Sequence, residues 1–212
     1  MRLLDALPGL FGLASAPDPA RVGWLKDKEY AHRGLHSGSV VENSLTAFAE
    51  AIARGMGIEC DVQASGDGRA VVFHDWELDR LTAERGPVAG RTTEELGRVG
   101  LAEGRDRIAS LRDVLGLVRG RVPLLLELKS RRERRVGPLC LAVRRDLEGY
   151  RGEAAVMSFD PRVGAWFARH ATSIVRGLVV SEEGARTLSG IWRRHCALWH
   201  GKPDFLAYDV RD

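Results

Sequence analysis

The sequence predicts an α/β protein, a TIM (β/α)₈ barrel with a small insertion after its third strand, on three observations. From residue 29 onward, short apolar runs alternate with helical patterns, the rhythm of successive parallel βα units. Several runs are almost continuously apolar, Val71-Val72-Phe73 and Leu124-Leu125-Leu126 among them, as strands covered on both faces are. With 212 residues, 44% of them hydrophobic and 29% charged, the chain has the composition of one globular domain with a real core.

The strands fall at residues 29–32, 57–63, 70–74, 122–129, 154–159, 174–180 and 205–210. After the first, Leu45, Phe48 and Ile52 recur at helical spacing, with Asn43 or Ser44 as cap and Gly55 as stop. Thr92 with Glu95 makes one capping box. Ser110 with Asp113 makes another, leading into Leu111, Val114, Leu115 and Val118 and closing at Gly120. Asp160-Pro161 reads as an N-cap and first helical residue. The stretch between His74 and Val122 is too long for a single crossover, which assigns 75–107 to an insertion above the sheet. A barrel of this type runs to about 250 residues. Here the seventh strand is followed closely by the terminal Arg211-Asp212, so strand eight is expected to be missing. The barrel domain is then 29–212, C-terminally incomplete, behind an N-terminal apolar segment at 1–28.

Thirty-two basic residues against twenty-nine acidic ones, a net charge of +3, exclude a dedicated nucleic-acid surface, where one sign would dominate a face. The densest basic run, 129–135, has five positive residues around one acid. It reads first as a solvated helix entrance and second as an attraction for an anionic substrate or lipid headgroup. No apolar run approaches the roughly eighteen residues of a membrane span. Cys60, Cys140 and Cys196 form neither an even set nor a close pair, which fits a reducing, cytoplasmic compartment better than a disulfide framework or zinc site. The start, MRLLDALPGLFGLASAP, keeps alternatives open: Asp5 and Pro8 interrupt its apolar stretch, and Ala14-Ser15-Ala16 imitates a cleavage site. Packing on the domain, contact with a membrane surface and export are its three readings.

In a parallel barrel the active site lies at the C-terminal ends of the strands. The second strand ends in Glu59-Cys60-Asp61, whose two carboxylates, two residues apart, share a face. The fourth ends in Glu127-Leu128-Lys129, the third in His74-Asp75 and the first in His32-Arg33-Gly34. Singly each is weak: a strand-end His is more often structural, and Lys129 can simply neutralise Glu127. Together they say more. Three inward acids repel one another and lose hydration unless a positive charge sits among them. All-oxygen ligands choose a hard cation, Mg²⁺ or Ca²⁺; ion pairs to Arg33 and Lys129 are the structural alternative. Arg33 and Lys129 can grip phosphate oxygens. Imidazole titrates near neutrality, so one of His32 and His74 can take a proton while the other gives one to a leaving alkoxide. This chemistry points to phosphodiester cleavage.

His32-Arg33-Gly34, Glu42-Asn43, Glu59-Cys60-Asp61-Val62, Asp67-Gly68, His74-Asp75 and Glu127-Leu128-Lys129, in this order and spacing, resemble the glycerophosphodiester phosphodiesterase family. The resemblance implies a TIM barrel with a small insertion after strand three. It implies His32 and His74 as acid/base pair, Glu59, Asp61 and Glu127 as ligands of Mg²⁺ or Ca²⁺, and phosphate contacts from Arg33 and Lys129. Glu42 resembles the position supporting the first histidine, although an acid at a helix N-terminus is favoured by the dipole anyway. Ser65 and Ser44 stand where the family usually has Thr, and the Trp that members carry on strand eight has no counterpart. Phe159, closing the fifth strand, lines the alcohol side of the pocket or belongs to the core.

The expected activity is metal-dependent hydrolysis of a small glycerophosphodiester to an alcohol and sn-glycerol 3-phosphate. Either water or the substrate's own glycerol hydroxyl can serve as nucleophile. The rivals are a lysophospholipase D-type phosphodiesterase and a non-catalytic phosphoester-binding barrel.

Overall fold

The computed structural model describes residues 17–102, 105–180 and 188–208. Residues 1–16, which include most of the expected apolar segment and the Ala14-Ser15-Ala16 site, lie outside them, as do 103–104 of the expected insertion and 209–210 of the expected last strand.

In chain order the elements are α1 (Pro19–Val22), β1 (Tyr30–Ala31), α2 (Leu45–Ala53), β2 (Gly57–Ala64), β3 (Ala70–Val72), α3 (Thr93–Leu96), β4 (Ala109–Ser110) and α4 (Leu111–Val118). They continue with β5 (Leu124–Leu128), α5 (Gly137–Leu147), β6 (Ala154–Ser158), α6 (Pro161–His170), β7 (Val175–Val180), α7 (Leu188–Gly201) and β8 (Phe205–Tyr208). Six strands run parallel in the order β1-β2-β5-β6-β7-β8, with helices in the connections, the barrel-type α/β architecture that the apolar runs predict. Among the described residues no pairing joins β8 to β1.

One expectation is corrected. The third strand is not a parallel barrel strand but the return arm of a hairpin, antiparallel to β2 with Val62 opposite Val72 and Ala64 opposite Ala70. Residues 65–69 form a tight turn, whereas a parallel crossover needs a dozen residues or more. The short β4 then adds antiparallel to β3. β1 and β3 thus share one edge of β2, β1 along its start and β3 along its end.

Three cores hold this together. The largest lies between the outer face of the strands and the helices, where Ile58, Cys60 and Val62 meet Phe48 of α2, Leu111 and Val114 of α4 and Phe167 of α6. α2 starts at Ser44, whose hydroxyl accepts from the Ala47 amide at 3.1 Å. It buries Ala47, Phe48 and Ala51 completely, Phe48 alone contributing about 2–3 kcal/mol. The 75–107 region packs its own core, Leu78, Val88, Leu96, Val99 and Leu101 beneath Val71 and Phe73 of the hairpin. A third core joins Val22, Trp24 and Leu25 to Leu125, Ala155, Val175 and Phe205 near the N-terminal ends of the strands. The capping boxes of Thr92–Glu95 and Ser110–Asp113 and the Asp160 cap all form as the sequence predicts. Among the described residues no helix is long and apolar enough to cross a membrane.

Candidate active site

β2 places Glu59 and Asp61 on one face while Cys60 between them enters the outer core, as strand alternation requires. β5 lies alongside with Glu127 directly opposite Asp61. One carboxylate oxygen from each of Glu59, Asp61 and Glu127 falls within 4.8 Å of the others, and all three residues are buried. The predicted acid cluster is therefore assembled.

Two cations of the chain touch it. Lys129 Nζ lies 3.1 Å from Glu127 Oε1 and 3.4 Å from Asp61 Oδ1. Arg33 donates its backbone amide to Glu59 Oε2 at 3.0 Å and an Nη1 hydrogen to Glu42 Oε1 at 2.9 Å. Its Nε sits 3.2 Å from Asp61 Oδ2 but is not aligned to donate, so that contact is charge proximity without a hydrogen bond. Asn43 is a firmer partner of Asp61, donating Nδ2–H to Oδ2 at 2.9 Å and accepting the Asp61 amide on Oδ1 at 3.2 Å.

These contacts leave the cluster short of positive charge. Glu59 Oε1 is buried with no hydrogen-bond partner. Burial first, and the neighbouring Asp61 next, push the Glu59 carboxyl up to about 8. Burial also raises Glu127, against the opposing pull of Lys129. An oxygen-only donor set with an orphaned carboxylate oxygen fits a hard divalent cation, which would satisfy that oxygen and relieve the mutual repulsion.

The two histidines arrive differently. His32 follows β1, its Nε2 3.9 Å from Glu59 Oε2 and its side chain 58% exposed. His74 comes from the hairpin rather than from the top of a parallel strand. The Phe73 amide bonds the Asp61 carbonyl at 3.0 Å, so the next residue emerges level with the acids. Gln63 pins the backbone on both sides of it, donating to the Phe73 and Asp75 carbonyls at 2.8 Å each. Nδ1 of His74 is 2.7 Å from Asp75 Oδ1. Asp75 is held down to about 2, chiefly by the Arg80 hydrogen bond. An ionised Asp75 accepts, so Nδ1 carries the hydrogen and Nε2 is the nitrogen left for proton exchange.

Arg80 comes from the 75–107 region and spans both halves of the site. Its Nε and Nη2 reach the two oxygens of Asp75 at 2.5 and 3.0 Å, and its Nη2 and Nη1 reach the two oxygens of Glu42 at 2.8 and 3.2 Å. Burial opposes ionisation of Glu42, but the bonds from Arg80 and the charge of Arg33 outweigh it and hold the carboxyl low. Sequence reasoning missed Arg80, Gln63 and the part played by Asn43. For Asn43 the signal was its place in the Glu42-Asn43 motif, where it was read only as a candidate cap, the role that Ser44 takes. Phe159, 52% exposed just past β6, lines a hollow with Glu127 and Lys129 and is not core.

A glycerophosphodiester phosphodiesterase of Bacillus altitudinis is 38% identical over 109 residues, 48% of this chain and 44% of that protein. One from Caldanaerobacter subterraneus is 39% identical over 114 residues, 50% of this chain and 46% of that protein. The chain thus spans less than half the length of these relatives. The fold matches that of an Oleispira antarctica phosphodiesterase, solved with its product sn-glycerol-3-phosphate, at a TM-score of 0.73 and 25% identity, over 85% of this chain and 74% of that one. Residues 32–207, which hold every acid, cation and imidazole described above, match the glycerophosphoryl diester phosphodiesterase family, and the chain belongs to it.

Proposed function

We propose that the chain hydrolyses glycerophosphodiesters to an alcohol and sn-glycerol 3-phosphate. The single observation that carries this is the buried triad of Glu59, Asp61 and Glu127, with Glu59 Oε1 lacking any donor, beside His32. The product bound by the Oleispira phosphodiesterase supports the same substrate class.

In this reading Glu59, Asp61 and Glu127 hold Mg²⁺ or Ca²⁺, which when bound supplies charge stabilisation at the phosphoryl group. Arg33 and Lys129 add fixed positive charge on the phosphate oxygens, Arg33 as a planar fork and Lys129 as a compact ammonium. One imidazole takes the proton of the attacking hydroxyl. The other returns a proton to the alcohol oxygen as the phosphorus–oxygen bond breaks, so that no free alkoxide is released. The hydrogen bond between Asp75 and Nδ1 fixes the ring of His74 so that Nε2 makes the exchange. Glu42 keeps Arg33 oriented. The free thiols of Cys60, Cys140 and Cys196 support a reducing compartment such as the cytoplasm.

The test incubates purified protein with glycerophosphocholine and glycerophosphoglycerol, plus Mg²⁺ or Ca²⁺, and follows glycerol 3-phosphate. His32→Ala and His74→Ala should each lower kcat by about 10²–10⁴, and chelator or Glu59→Ala should abolish turnover. Full turnover in His32→Ala, or in chelator, defeats the assignment.

A further inference from the structure

Lys129, Arg132, Trp76, Phe159 and Arg162 line, with Glu127, a hollow of about 640 Å³. It is one wall of the site, on the side where the loop between β5 and α5 runs past. We propose that this wall selects glycerophosphodiesters whose alcohol carries a further negative charge, a phosphate or carboxylate, over those with a cationic headgroup. The inference rests on the hydrolytic reading above and names the substrate class within it.

The first reason is charge. Within the exposed loop Arg132 lines this hollow with Lys129 beside it, while Arg131, Arg134 and Arg135 line the neighbouring hollow, together with Glu77, and Glu133 is the one acid of the run. The acids in the wall are already engaged. Glu127 faces Lys129 at 3.1 Å. Asp160 is gripped by Arg162 through bonds of 2.7, 3.0 and 3.0 Å and accepts from Ser130 as well. Among the described residues no carboxylate pairs with Arg132, so a cationic headgroup meets no unengaged acid in this hollow.

The second reason is the state of the aromatic surface. A quaternary ammonium is recognised over the face of a tryptophan. The Trp76 face already holds a cation of the chain, the Arg131 guanidinium carbon lying 4.5 Å from the ring centroid. Choline would have to displace that arginine or sit against it.

The third is order. Arg162 extends its Nη1 and Nη2 to the carbonyls of Arg132 and Arg131, each at 3.2 Å. The loop backbone is thereby restrained, so that side-chain ordering is the main entropic cost left when a ligand arrives.

The experiment compares glycerophosphoinositol 4-phosphate, glycerophosphoglycerol and glycerophosphocholine, an anionic, a neutral and a cationic alcohol. kcat/KM is measured for each on the full chain with saturating divalent cation. Kd is measured on His32→Ala by quenching of tryptophan fluorescence. The anionic substrate should lead and the choline diester trail, by about ten-fold at low salt, the gap shrinking toward two-fold near 0.5 M salt as the exposed charges are screened. Arg132→Glu should largely close the gap without changing Tm, its side chain being on an exposed loop. Equal Kd values, or tighter binding of the choline diester, overturn the proposal. Ordered Kd values with no turnover of any diester sustain the selection and refute the hydrolytic reading instead.

Discussion

Asn43 and Asp61 are joined twice, through Nδ2–H to Oδ2 at 2.9 Å and through the Asp61 amide to Oδ1 at 3.2 Å, with both residues fully buried. Asn43 adopts φ +56°, a left-handed conformation that Asn tolerates better than most residues. The pair fixes the carboxylate at the centre of the acid cluster. Asn43→Asp keeps shape and backbone preference but turns the donor into a second carboxylate against Asp61. Urea denaturation at neutral pH should show a loss of about 1–3 kcal/mol, and turnover should fall at least ten-fold. An unchanged midpoint would mean that Asn43 does not hold Asp61.

Arg80 tests whether a residue remote from the acids positions both ends of the site. Its side chain is 48% exposed, so its ion pairs contribute less than about 1 kcal/mol to stability. Arg80→Met should therefore leave Tm nearly unchanged. It should lower kcat by about 10–100-fold, as loss of an outer partner of a functional group typically does, with KM little affected. Arg80→Lys should not restore it, because one ammonium cannot span four carboxylate oxygens in fixed geometry.

The raised Glu59 carboxyl sets a pH dependence with a definite sign. Its folded value, about 8, lies above the ordinary 4.5. Between these values the cation-free folded state holds a proton that the unfolded chain has released, so stability declines as pH rises through that window. A divalent cation requires the ionised form, so the rise in Tm that it produces should grow across the same window. Differential scanning calorimetry from pH 5 to 8.5, with and without Mg²⁺ or Ca²⁺, reads both slopes. Glu59→Gln should flatten both, and a wild-type protein whose cation-induced shift ignores pH would contradict this account.

Gly34 locks the turn that follows His32 and Arg33 to α2. It sits at φ +79°, and an added Cβ would lie 2.8 Å from the Ala47 Cβ and 2.9 Å from the Phe48 ring. Gly34→Ala should cost roughly 2–4 kcal/mol from left-handed strain and overpacking together, visible as a lower urea midpoint.

Much of the site was legible because strand alternation and strand ends are local properties. Glu59 and Asp61 had to share a face, and Glu127 had to meet them once β5 paired with β2. The antiparallel course of the third strand was also legible in principle. Asp67-Gly68 between two apolar runs is a hairpin signal, yet the regular βα rhythm on either side favoured a parallel strand. Arg80 and Gln63 were not legible. Each acts on residues that only the hairpin and the packing of the 75–107 region bring near, and nothing in the spacing of Arg80 to Glu42, thirty-eight positions apart, announces their contact. The four loop arginines were visible as a charge run, but the stacking of Arg131 on Trp76 depends on tertiary placement.

The thiol wedged between Glu59 and Asp61 turns the acid-bearing strand into its own gauge. Cys60 is wholly enclosed, and burial followed by the two flanking acids drives its ionisation far up. An alkylating reagent can reach it only when β2 parts from the helices behind it, so the rate at which this one sulfur is labelled, located by mass spectrometry apart from Cys140 and Cys196, reports how often β2 opens. Occupancy by a divalent ion that staples β2 to β5 would register as slower labelling, with no substrate and no turnover needed.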